Sequence, residues 1–257
     1  VRKSIFALAA LAAAAVMSAG TASGSERTLQ AYRHIQLDGH RVKWGAPEAG
    51  AGAVVTYATL DQAIEFPGAR NCRAMAAIGP VLSANHIAAA TFESELREAF
   101  ALWSAVADIR FVRAETAAAA DILIGAQAEP RGKAFTNVEF DRSGPAGGFR
   151  TLTHSTICFS PAERWKIGFD GNLEVYDLRY TLLHEIGHAI GLDHPAIDSQ
   201  LMDFRYSERF RTPQRGDVLG VVALYGPSDA QAVAAESAGP QPQRVVRVRA
   251  VRPATGG

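Results

Sequence analysis

His184-Glu185-Ile186-Gly187-His188-Ala189-Ile190-Gly191-Leu192-Asp193-His194 places three histidines and one glutamate in a single short stretch. On a helix, residues four apart lie one turn apart on the same face, so His184 and His188 can reach one ion without any long-range assembly. Leu182, Ile186, Ala189 and Ile190 fall on the opposite side, so the same helix can bury an apolar stripe while its histidine face borders a cleft. Gly191 stands three residues after His188, where a residue tolerating positive φ can end the helix and turn the chain so that His194 becomes a third ligand.

Three imidazoles leave the fourth tetrahedral position of Zn²⁺ open, the mark of a catalytic rather than a structural zinc. Glu185 follows the first ligand directly and is placed to take a proton from a zinc-activated water and return it to a leaving amine. No serine or cysteine nucleophile is then needed. A structural helix carrying histidines by accident is the competing reading. With 7 His and 23 Gly in 257 residues, chance agreement at all five fixed positions is about one in 10⁴ or rarer.

With this H-E-x-x-H-x-x-G-x-x-H pattern the chain resembles the metzincin zinc endopeptidases, in which a Met-turn lies beneath the metal. Met202, in Leu201-Met202-Asp203, is the only methionine downstream and matches that turn. Within the group the likeness is to the matrixins and spans about residues 42 to 226. It rests on Phe92 to Trp103 for a first long helix, Ile109-Arg110-Phe111 and Ala120 to Ile124 for two strands, and Asp217 to Gly226 for a closing helix ending in Leu224-Tyr225-Gly226.

The resemblance implies an α+β fold with a twisted, mostly parallel five-stranded sheet, two long helices, a Met-turn and a C-terminal helix. It also implies zinc held by His184, His188 and His194, Glu185 as general base and acid, and Met202 as support. Phe149 to Phe159 is expected as the cleft-edge strand, to which an extended polypeptide adds. Matrixins also hold a second, structural zinc and calcium. Here Cys158 stands in place of a zinc-binding histidine and Ser160 in place of an acidic ligand, so a structural zinc is not expected and calcium stays open. Tyr206 lies four residues after Met202, not the two at which some metzincins place an extra tyrosine ligand, and packing is expected of it.

Arg2 and Lys3, an apolar run from Ile5 to Met17 and small residues to Gly24 read as a signal peptide over residues 1–24. That run is short of the ~20 residues of a membrane span. A secreted protein, extracellular or periplasmic, is expected, with a catalytic domain over residues 25–226 and no membrane partner. Residues 227–257 shift to Ala, Gly, Pro, Gln and Ser and end in a basic alternation from Arg244 to Arg252, a low-complexity tail. The 26 basic and 26 acidic residues balance, which argues against a nucleic-acid partner; a monomer acting on polypeptide is expected. Cys72 and Cys158 are the two cysteines of the chain, and an exported pair reads as one disulfide, with two buried thiols or a cysteine on the zinc as the other readings.

Two further functions stay open on sequence alone. One is a secreted zinc-binding or adhesive module, which would not need Glu185. The other is a processing protease for one partner, which the basic tail could dock.

Along the chain, Val42 to Trp44 and Val54 to Leu60 read as strands. Residues 61–91 read as an irregular insertion, and Thr212-Pro213 as a helix start. Glu93, Glu95 and Glu98 sit near the N-terminus of the first long helix, where carboxylates suit its dipole.

Overall fold

The computed structural model describes residues 31–143 and 148–231. Residues 1–30, which include the expected signal peptide, the centre of the Ser143 to Gly148 loop and the tail beyond Gln231 lie outside the described residues. Five strands form the centre: β1 (Ala53–Thr59), β2 (Ile109–Arg113), β3 (Ile122–Gln127), β4 (Ala134–Phe140) and β5 (Phe149–Phe159), in the spatial order β2-β1-β3-β5-β4. The first three pairings are parallel and β4 runs antiparallel to β5. Parallel neighbours need both faces covered, which explains why β3 is buried at every position.

On one face lie α1 (Ala89–Ser104) and α2 (Leu178–Ala189). Phe92, Leu96, Ala99, Phe100 and Trp103 form the buried stripe of α1, at the spacing the sequence shows. Trp103 is fully buried and its indole N–H donates to Leu183 O at 3.0 Å, so the two helices are joined by a polar bond inside an apolar contact. Asp177 caps α2, accepting from Tyr180 N at 2.9 Å.

The sheet is wider than five strands. Gln36–Leu37, His40–Lys43, Ile64–Glu65 and Ala74–Ala76 extend it, making nine among the described residues. Residues 61–91, read as irregular, hold a small antiparallel hairpin and a short helix, Gly79–Ala84. Phe149–Phe159 is not the edge of the sheet. β3 pairs with it on a parallel ladder and β4 on an antiparallel one, so the edge belongs to β4. Residues 134–140 alternate weakly in polarity, and their strand character comes from pairing with β5.

Glu95 also differs from its sequence reading. It is 7% exposed and forms a two-pronged pair with Arg179 of α2, with Arg211 at 3.7 Å. A carboxylate assigned to the helix dipole thus ties both helices to the segment after the Met-turn.

α3 (Arg215–Tyr225) starts later than Thr212-Pro213, with Gln214 as its cap in a reciprocal box with Asp217. The buried Asp217 carboxylate sets that start, because it accepts from Gln214 N at 2.7 Å, Leu201 N at 2.8 Å and Met202 N at 3.1 Å. The fold continues past Gly226, with Pro227 bridging Ala107 and Ser228 donating to Ala105 O at 2.8 Å. Replacing Asp217 by Ala would strand three backbone donors, and we expect a loss of roughly 3 kcal/mol in urea unfolding. A loss below about 1 kcal/mol would show that water satisfies those donors.

Candidate active site

The histidine helix ends at Ala189, and Gly191 adopts φ +104°. A Cβ there would lie 2.3 Å from Val42 O, so only glycine allows both the turn and the close approach of the first part of the chain. Leu192–Asp193 then pairs with Arg33–His34, which aims His194 back at the helix. Arg33 pairs with Asp193 at 2.8 Å, and Asp193 Oδ1 accepts from His194 N at 2.8 Å.

His184 Nδ1 donates to Leu201 O at 2.9 Å and His188 Nδ1 to Leu192 O at 2.8 Å. A carbonyl only accepts, so each Nδ1 carries the proton and each Nε2 presents its lone pair. The Nε2 atom of His194 lies 3.2 Å from that of His184 and 3.2 Å from that of His188. With Zn–N bonds of 2.0–2.1 Å, a tetrahedral edge is about 3.3 Å. The donor set therefore fits zinc, and His184, His188 and His194 are the one group of three or more possible ligands found among the described residues.

Burial first, and the neighbouring His188 second, push His184 well below its ordinary value; burial also lowers His188 and brings His194 down to about 4. All three rings are neutral at pH 7, as ligands must be. Met202 is buried beneath them, with its sulfur close enough to Gly187 that a Cβ on that residue would lie 2.3 Å away. Gly187 is the glycine that lets the thioether pack under the helix.

Glu185 is also buried, and burial raises its carboxyl to about 7, opposed by a hydrogen bond from Thr136. Thr136 Oγ1 lies 2.7 Å from Glu185 Oε2 and 3.0 Å from its backbone carbonyl. Sequence reading missed Thr136, because its role exists only once β4 packs on α2. Tyr206 packs, as expected: its hydroxyl donates to Glu208 at 3.1 Å and accepts from Asp177 N at 2.9 Å.

The histidines and Glu185 border an open cleft of about 490 Å³, lined also by Lys133, Phe135, Thr136, Tyr176, Tyr180 and Phe204. Phe204 is 79% exposed and its ring meets His194 edge-on at 5.4 Å. Cys72 and Cys158 are joined as a disulfide, 6.5 Å apart at Cα. The His154 ring lies 5.5 Å from that of Phe66, tilted by 31°.

Three convergent imidazoles, a buried carboxylate beside them and a methionine turn below define a metzincin-type site. Residues 81–226 match the family model for matrixins, peptidase family M10, and the chain belongs to that family of zinc metalloendopeptidases. It is 32% identical over 165 residues to metalloendoproteinase 1-MMP of Arabidopsis thaliana, covering 59% of this chain and 43% of that protein. It is 31% identical over 154 residues to karilysin of Tannerella forsythia, covering 56% and 30%. It is 34% identical over 138 residues to human matrix metalloproteinase-20, covering 49% and 26%. The chain thus spans less than half the length of these relatives.

His188→Ala should abolish zinc retention while the fold survives, measured as metal per chain after dialysis. Because burial lowers all three ligands, wild-type zinc should persist at about pH 5.5, where an unshifted histidine is mostly protonated. Release of the metal there would show that the rings titrate normally.

Proposed function

We propose that this protein is a secreted zinc endopeptidase that hydrolyses extended polypeptide, with His184, His188 and His194 as metal ligands, Glu185 as general base and acid, and Met202 as ligand support. The observation that carries the reading is Glu185, a buried carboxylate beside three converging imidazoles, which metal storage or adhesion does not require. Bound zinc would supply Lewis acidity, activating a water and polarising the scissile carbonyl. Glu185 accepts the proton of the attacking water and delivers it to the departing amine. Burial, which raises this carboxyl, favours its holding the proton between the two transfers. Thr136 aims that carboxylate by its hydroxyl.

The substrate backbone would add to β4, which pairs with no strand other than β5 among the described residues. Tyr176, Tyr180 and Tyr206 offer an aromatic wall for one side chain, and Lys133 lies over the Tyr176 ring at 4.3 Å. Export is supported by the signal-like composition of residues 1–24 and by the disulfide. Among the described residues no helix is long and apolar enough to cross a membrane. In this reading residues 25–226 contain the catalytic unit and the basic tail lies beyond it.

The deciding experiment is cleavage of an unbiased peptide library by residues 25–257, beside Glu185→Gln and a chelated sample. Glu185→Gln should keep one zinc per chain and lose at least ~10³-fold in kcat. Undiminished turnover in that variant would remove Glu185 from the mechanism. Thr136→Val should lower kcat by about tenfold with zinc unchanged, and Thr136→Ser should restore it.

A further inference from the structure

The face of the sheet away from α1 and α2 is covered by the hairpin of Ile64–Glu65 and Ala74–Ala76, whose tip runs from Phe66 to Arg73. Ile64, Phe66 and Cys72 pack with Met75, Leu123, Phe135 and Cys158 in a second, smaller apolar cluster. The Cys72–Cys158 bond fastens the tip to β5 across a sequence separation of 86 residues. Cys72 adopts φ +46°, a region that L-residues seldom hold unaided.

Asn71, next to that cysteine, presents only its main chain to β4. Its N–H donates to Asn137 Oδ1 at 2.9 Å, and its carbonyl accepts from Asn137 Nδ2 at 2.5 Å. Asn137 Nδ2 also reaches Thr156 Oγ1 at 3.2 Å, so the amide ties together the tip, β4 and β5. Asn71 lines the same cleft as the three histidines. Asn137 and Thr136 are neighbours on a strand and point to opposite faces. β4 is therefore held from both sides: through Thr136 to Glu185 on one, through Asn137 to the disulfide-fastened tip on the other.

We propose that this hairpin tip is a jaw of the substrate cleft, set in place by the Cys72–Cys158 disulfide, and that Asn137 is the positioning residue transmitting its hold to the edge strand. The identity of the occupant, an extended polypeptide, rests on the peptidase reading above. An edge strand fixed on one side only would hold an incoming chain in several registers, so loss of the jaw weakens binding while metal and base stay in place.

The test uses the full chain with Glu185→Gln, so that binding is read without turnover, and fluorescein-labelled casein as an unfolded polypeptide. Asn137→Ala removes both bonds to the tip, and the pair Cys72→Ala with Cys158→Ala removes its covalent hold. Both should raise the Kd for casein about fivefold or more, the scale of a lost hydrogen bond, with all zinc contents unchanged. In the otherwise native chain, Asn137→Ala should raise KM while kcat stays within about twofold. A Kd within about twofold of the parent for both jaw variants would overturn the proposal. Casein bound by the parent but never cleaved by the native chain would sink the peptidase reading alone, and a parent that binds no casein would overturn both.

Discussion

Two imidazole N–H groups donating to two backbone carbonyls, His184 to Leu201 and His188 to Leu192, are the constraint on which the site depends. A histidine ring is free to turn and to choose its tautomer, and either freedom would scatter the lone pairs that must meet at one point. Each carbonyl removes both freedoms at once. Those carbonyls belong to loops, so the loops must be held too. Asp217 holds the Leu201-Met202 turn by its backbone N–H groups, and the Arg33–His34 pairing holds Leu192–Asp193. The metal site is thus anchored to the last helix and to the first described strand.

Buried carboxylates are satisfied by cations at Glu95 and Asp177, by backbone N–H groups at Asp217 and by a single hydroxyl at Glu185. Arg211 pairs with both Glu95 and Asp177, and Arg179 with Glu95, in a network joining α1, α2 and the segment after the Met-turn. Breaking one member would leave an uncompensated charge, so the network fixes how the helices sit more than it adds net stability. Among the described residues no cation pairs with Glu185. Its side-chain partner is Thr136, whose hydrogen bond opposes the upward push of burial on the carboxyl.

The sheet is buried unequally on its two faces. One face packs on two long helices, while the other relies on a hairpin with few apolar side chains and a covalent bond. A small cluster supplies little burial energy, and a cross-link that restricts the unfolded chain compensates. The cost falls near the cleft, because the cross-linked tip bears on the strand beside Glu185.

The residues from His184 to His194, by their spacing, determined the metal site, and their likeness to the matrixins carried the fold with them, because helical periodicity is a local property. The stripe of α1 was legible for the same reason, Gly191 was legible from its place three residues after His188, and Met202 was legible through the likeness to the metzincins. The edge strand β4, the Thr136–Glu185 bond, the Glu95–Arg179 pair and the Asn71–Asn137 contact were not. Each joins residues 49 to 84 positions apart, apart from the local β4–β5 pairing, whose sequence lacks a clear alternation. Which strand forms the edge, and which carboxylate is paired or left to a hydroxyl, depends on what packs beside it, and only the tertiary structure brings those neighbours together.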